Sequence, residues 1–424
     1  MSKEDHAGLA HIGKSRKPRN IKLHNERLVL FLLREAGSTT AGEIASRINL
    51  SITTVMRIVN SLKSIGVIRS AGKGESTDEG GKKPELFAVN EDFRYAVGGY
   101  INSRRVSLGL YDFTCRETAR KTTELEPGLS LDEVLKTAAE TLRTFCAEED
   151  IPAEKVCGVT FGFDGIVDAE RGVLYYPIHD VSWGRDIPVH EKLTALLPDF
   201  SPIYVDNGGR FAAYRVFLTY PEYRNTKFFD LRVGWNYAVG CFISNGRLER
   251  GANGFLGEIG HMSLLPEGEG ALCACGGRGC FETLVSGQGV QHWARRIGRT
   301  MGTDDPLFQK AVERTLTPQE IFDAADAGNE YARLVTDKVA GFFCQLIRNI
   351  ILTCDPEIIT LGDLYAGAGN YFRSTLENQI EAIPFFQIEN RLKIRYSTAI
   401  TDSAGQIGGA LYAIDSCIQD MEFV

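Results

Sequence analysis

The stretch GEIGHMSLLPEGEGALCACGGRGCFE, residues 257–282, constrains this chain more than any other. It holds too many glycines for a helix or a strand, yet it gathers one histidine and three cysteines. The spacing Cys273-x-Cys275-x4-Cys280 brings three thiols within reach of one point, and His261 upstream can close a tetrahedron. Zinc suits a donor set of three sulfurs and one imidazole nitrogen. Four protein ligands leave no open position, so the ion would support the loop and not activate water. Cys273 and Cys275 are too close in sequence to favour a disulfide, and Gly276, Gly277 and Gly279 let the backbone bend around an ion. The alternative, unligated thiols, would leave an oxidisable cluster on an open loop.

The other seven cysteines (Cys115, Cys146, Cys157, Cys241, Cys344, Cys354, Cys417) are scattered singly, as expected of buried apolar thiols. The N-terminus carries charges but no apolar core of a secretory signal, so a cytoplasmic protein without disulfides is expected. No stretch approaches the roughly 20 apolar residues of a membrane span, and no membrane partner is expected. With 424 residues the chain has room for two to three domains.

Charge is divided unevenly. Residues 1–88 carry 15 Lys and Arg against 9 Asp and Glu, net +6, whereas the remainder is net −14. A basic module on an acidic body points to one part that meets a polyanion. A basic tail alone is the alternative, since Lys14, Arg16, Lys17, Arg19 and Lys22 supply five of those charges.

The basic module has three helical patterns. Leu28, Val29, Leu32 and Leu33 form an apolar stripe that ends at Gly37. Thr40 with Glu43 has capping-box spacing ahead of Ile44, Ala45 and Ile48. Ser51 is a good N-cap for SITTVMRIVNSLKSIG, in which Val55, Ile58, Val59 and Leu62 face inward. Its opposite side carries Thr53, Arg57, Asn60 and Ser64, with Thr54 at the flank, side chains suited to phosphates and base edges. Two strands, VIRS and ELFAVN, flank a glycine-rich loop with Lys82 and Lys83 at its base, which reads as a wing. A merely solvated helix face is the alternative for each residue singly. Together the pattern predicts a winged helix-turn-helix that binds double-stranded DNA through Thr53, Thr54, Arg57, Asn60, Lys82 and Lys83.

The body reads as α/β: strands YAVGGYI, RRVSLGLYD and CRETARKTT, a helix around 130–147, the strand VCGVTFGF, and further strand and helix patterns at 201–216 and 228–243. The segments FGFDGIVDAERGVL, NGRLERGANGFLGEIGH, CACGGRGCFE, DPEIITLGD and SAGQIGGALYAI, in that order, resemble the ROK family of sugar kinases and sugar-responsive repressors. The winged helix and its GGKKPELFAVN segment look like the repressor branch. The resemblance implies an actin-like, ribonuclease-H-like fold of two lobes, with a sugar between them and the C-terminal helix returning to the first lobe. It implies the same four zinc ligands, sugar contacts at Glu258, His261 and Glu282, and dimers or tetramers. The expected divisions are a basic tail at 1–20, the winged helix at 21–90, a first lobe at 91–206 completed by a helix at about 400–420, and a second lobe at 207–395.

Kinases of this family place a carboxylate base in a V-x-N-D segment, which here reads Val205-Asp206-Asn207-Gly208. The asparagine matches and glycine stands at the base. The first phosphate loop is Tyr100-Ile101-Asn102-Ser103-Arg104, the second Gly234-Trp235-Asn236, and the final glycine pair Gly362-Asp363, so the close-approach glycines are mostly replaced. The loop PIHDVSW keeps the family's tryptophan but not its asparagine. These departures imply a regulator that binds operator DNA and a carbohydrate effector, the latter through Asn207, Glu258, His261 and Glu282, without being an enzyme. Two alternatives are a sugar kinase carrying a DNA module and a constitutive DNA-binding protein whose body only dimerises.

Overall fold

The computed structural model describes residues 18–74, 83–178, 180–219, 223, 226–244, 246–383, 392–397 and 404–421. Lys82, the wing tip and most of the expected 1–20 tail lie outside them. The tail boundary itself moves, because α1 (Pro18–Ala36) starts before residue 21, with proline at its first position where a missing N–H costs nothing. After α1 come β1 (Thr39–Thr40), α2 (Ala41–Ile48), α3 (Ile52–Ser64), β2 (Ile68–Lys73) and β3 (Glu85–Val89). Thr40 and Glu43 form the reciprocal capping box at α2, and Ser51 caps α3. The three short strands pair in the order β1-β3-β2.

Two compact units make up the described chain, one from within Met1–Phe163, Pro188–Asp206 and Gly405–Val424, the other from Asp164–Ile187 and Asn207–Ala404. The first contains β4 (Tyr95–Ile101), β5 (Arg105–Tyr111), β6 (Glu117–Glu124), α4 (Leu131–Glu148) and β7 (Val156–Phe163). The hairpin β8 (Ile166–Asp168) and β9 (Val173–Tyr176) belongs to the second unit, and α5 (Val189–Leu196) and β10 (Ile203–Asn207) follow it. Residues 164–187 thus depart from the first lobe in which sequence order puts them. The backbone oxygen of Val167 on this hairpin accepts from buried Arg210 at 3.0 Å, which ties it to the second unit.

That unit continues with α6 (Gly208–Thr219), β11 (Lys227–Val233), β12 (Ala238–Ser244), β13 (Arg247–Glu249), α7 (Phe281–Val285), α8 (Gly287–Met301), α9 (Pro306–Glu313), α10 (Pro318–Asp326) and α11 (Glu330–Cys354). It ends with β14 (Ile358–Asp363), α12 (Asn370–Glu381) and β15 (Lys393–Tyr396), after which α13 (Ala404–Asp420) packs in the first unit. The two five-stranded sheets run β10-β7-β4-β5-β6 and β13-β12-β11-β14-β15. Read from β6 and from β13, each sheet presents its strands as third, second, first, fourth and fifth in chain order. In each the first strand pairs antiparallel with the second and parallel with the fourth, so the architecture is duplicated. β7 is buried along all eight residues, the continuous apolar run of a central strand.

One core encloses the winged helix, β4, β5, β7 and α13: Val29, Leu30, Leu33, Val55, Ile58 and Leu62 pack with Ala96, Tyr111, Cys157, Ala410, Ala413 and Ile414. The stripe on α1 is therefore Val29, Leu30 and Leu33, with Leu28 and Leu32 only half-buried. The expected stripe is rotated because α1 meets α13 as well as its own module. Arg34 of α1 pairs with Asp415 of α13 at 2.6 Å, and Arg27 donates to the backbone oxygen of Gln419. The α13 backbone reaches β4 so closely that a Cβ on Gly98 would lie 1.9 Å from the oxygen of Gln406.

Candidate functional site

On α3, Val55, Ile58, Val59 and Leu62 are buried, and Thr53, Arg57 and Asn60 are exposed. Helical spacing of 100° per residue puts those three on one polar face. Thr54 is half-buried and committed to the helix start: its N–H donates to Ser51 Oγ at 3.1 Å and its hydroxyl lies 2.8 Å from the same atom. Lys83 is exposed at the foot of the wing. Lys63 reaches β3 instead, 2.9 Å from Glu85 and over the ring of Phe87.

The four soft ligands converge. One donor atom from each of His261, Cys273, Cys275 and Cys280 lies within 4.8 Å of the others. Cys273 Sγ is 3.4 Å from His261 Nδ1, and Cys275 Sγ is 3.7 Å from Cys280 Sγ. A tetrahedral zinc with Zn–S bonds of about 2.3 Å would hold two sulfurs about 3.8 Å apart, so the donor set fits that ion. Bridges between Ser263 and Cys280 and between Leu272 and Arg278 frame the loop, while Gly276 and Gly279 adopt φ of 90° and 65° to turn it. Burial pushes the Cys273 thiol well up and that of Cys280 to about 11, so without metal both keep their protons.

Behind this loop Glu282 is buried and spans two elements. Its Oε2 accepts from the N–H of Ala238 at the start of β12 at 3.2 Å, and its Oε1 lies 3.7 Å from Cys273 Sγ. Glu258 is 11 % exposed and 3.9 Å from Arg210. Both glutamates are thus largely shielded from solvent. Asn207 Nδ2 donates to the oxygen of Gly165 at 2.8 Å, and its Oδ1 accepts from the N–H of Gly209, which fixes the entry to α6. Arg210, which sequence reasoning missed, is 1 % exposed and donates to the backbone oxygens of Val167, Gly254 and Leu256. A lone arginine just ahead of the apolar run FAAY, after Gly209, was its only available signal.

The segments that the sequence resemblance pairs with the family's phosphate loops make contacts of their own. Asn102 Oδ1 accepts from the N–H groups of Arg104 and Arg105, each at 3.0 Å, closing the turn after β4 on itself. Gly234 N–H donates to the oxygen of Tyr237 at 2.9 Å, and a Cβ on Gly234 would lie 2.1 Å from the Tyr237 ring. Trp235 covers Gly287 in the same manner. Asp363, at φ 56°, takes Arg232 through Nε at 3.2 Å and Nη2 at 2.5 Å and accepts the Tyr237 hydroxyl at 2.8 Å. Burial and the charge of Asp363 push the Tyr237 hydroxyl well above its ordinary range, so it stays a donor. Asp206, next to Asn207, is 1 % exposed on β10.

Residues 115–416 match the model of the ROK family, and residues 23–69 match one described as winged helix-turn-helix DNA-binding. The chain is 24 % identical to the xylose repressor of Caldicellulosiruptor bescii over 95 % of its length and 98 % of the repressor. It is 31 % identical to the glucokinase of Halalkalibacterium halodurans over 59 % of its length and 74 % of that enzyme. The crystal structure of a ROK family transcriptional regulator, a homolog of the E. coli MLC protein, superposes with a TM-score of 0.72 at 19 % identity, covering 94 % of this chain and 97 % of that one. A ROK family glucokinase from Streptomyces griseus, solved with glucose and AMPPNP, gives 0.57 at 19 % identity, covering 75 % of this chain and 98 % of that one. With a winged helix-turn-helix DNA-binding segment ahead of a sugar-kinase-like α/β body, the chain belongs to the ROK family.

Proposed function

We propose that this protein is a repressor of carbohydrate metabolism that binds operator DNA, releases it on binding a sugar or sugar phosphate, and has no kinase activity. The observation that carries the reading is the first turn of α6: Gly208 stands where the family's kinases place their base, and glycine has no group to take a proton. The engagement of Gly234 and Asp363 supports it, since phosphoryl transfer depends on positioning and electrostatics at the phosphates. The name of the full-length relative supports the repressor half of the reading.

In this reading Thr53, Arg57, Asn60, Lys82 and Lys83 meet DNA, with Thr54 holding the start of the helix. Asn207, Glu258, His261 and Glu282 are the sugar-contacting set. His261, Cys273, Cys275 and Cys280 would hold a structural zinc, which supplies a fixed cross-link and no open coordination position. The winged helix pairs with that of a second copy, because two half-sites raise specificity. The rival reading is a sugar kinase with a DNA module, which the partial match to a glucokinase favours.

The test selects duplexes from random DNA with the full-length protein, then measures binding against a sugar panel alongside a coupled ATP-consumption assay. A specific duplex that one sugar releases, with no turnover, is the expected result. Turnover above about 1 s⁻¹, the low end for kinases, would establish the rival. Arg57→Ala should weaken binding and lower the salt slope by about 1, as loss of one phosphate contact does.

A further inference from the structure

Helix α3 opens with Ser51-Ile52-Thr53-Thr54, and the polar atoms of that turn are partly spent. Ser51 Oγ accepts the Thr54 N–H and lies 2.8 Å from the Thr54 hydroxyl, so this pair serves the cap. Between them stands Ile52, 59 % exposed, on a helix whose inward residues Val55, Ile58, Val59 and Leu62 are at most 5 % exposed. Met56, one turn on, packs against the shared core, and Ile52 does not join it. A single exposed isoleucine is ordinary on a protein surface. Its place is what gives it meaning, because the N-terminal residues of a recognition helix are those that meet base edges in the major groove.

An isoleucine there can neither donate nor accept a hydrogen bond. The one apolar group that a base edge offers in the major groove is the C5-methyl of thymine. Thr53 beside it is exposed and brings a hydroxyl suited to a phosphate or base acceptor, whereas the Ile52 side chain has only van der Waals contact and the exclusion of water to contribute. We infer that Ile52 is a specificity-determining residue that reads a thymine methyl in the operator. This rests on the DNA-binding reading and goes beyond it by assigning the chemistry of one base position.

The probe is the duplex selected from random DNA by the full-length protein, with each thymine replaced in turn by uracil, which removes only the methyl. For the wild type, one such replacement should weaken binding roughly fourfold, the effect of exposing one buried carbon. Ile52→Ala should lose a similar factor on the intact duplex, become indifferent to uracil at that position, and keep its sensitivity elsewhere. Its thermal midpoint should match the wild type, since an exposed side chain carries little packing. Equal affinity of Ile52→Ala and wild type for the intact duplex overturns the inference alone. So does a variant that still pays for every missing methyl. A selection that enriches no duplex overturns the DNA-binding reading and this inference with it.

Discussion

At the scale of single residues, buried charge is where this protein departs most from what its sequence displays. Asp230 lies in the middle of β11, fully buried, and accepts the Thr360 hydroxyl on Oδ1, while its Oδ2 has no hydrogen-bond partner among the described residues. Burial raises its pKa to about 6, against the lowering effect of Arg232. A carboxyl whose pKa is higher folded than unfolded stabilises the fold fully below the unfolded value, near 4, and that contribution is lost as pH rises through about 6. Asp230→Asn should therefore raise stability at pH 7, by on the order of 3 kcal/mol, and flatten the dependence between pH 4 and 6. Chemical unfolding of both proteins at pH 4, 5, 6 and 7 checks it, and an unchanged slope would contradict the assignment. None of this is legible in FFDLRVG, because a polar residue inside a strand pattern reads equally well as a solvent-facing position.

Among the elements, the local signals are the legible part. The capping box at Thr40 and Glu43, the Ser51 cap and the inward face of α3 follow from spacing, since each is decided within one or two helical turns. The stripe on α1 does not, because α13, nearly 400 residues away in sequence, decides which side is inside. The hairpin at 164–187 escapes for the same reason. Gly98 marks the contact of α13 with β4, and a methyl there has no room beside Gln406. Gly98→Ala should cost about 1–3 kcal/mol as an overpacked contact and speed amide exchange in α13 and in α1 together. Exchange faster in α13 alone would show that the Arg34–Asp415 pair does not couple them. The metal loop makes a separate prediction. Metal analysis should find about one zinc per chain, Cys275→Ser should lower that content, and loading the stripped protein should release protons from the cysteine thiols, measurable by a pH indicator.

For the whole molecule, the sequence displays its two-part plan through charge and motif order, while the residues that pack the candidate sugar set had to come from the structure. Arg210 carries no motif, yet it binds three backbone oxygens from two separate segments and lies beside Glu258. A sugar that binds at 100 times its Kd should add about 2.7 kcal/mol to unfolding, seen as a shifted thermal midpoint, and should change DNA affinity only to the extent that it prefers one state of the protein. A ligand that shifts the midpoint but leaves operator affinity unchanged would separate binding from regulation. The core shared by α1 and α13 also bears on how the protein is made. A ribosome delivers the DNA-reading module first and its supporting helix hundreds of residues later, so a nascent or prematurely terminated chain carries a winged helix with one apolar side still bare. An apolar side left uncovered in this way opens more readily to proteases than a packed one.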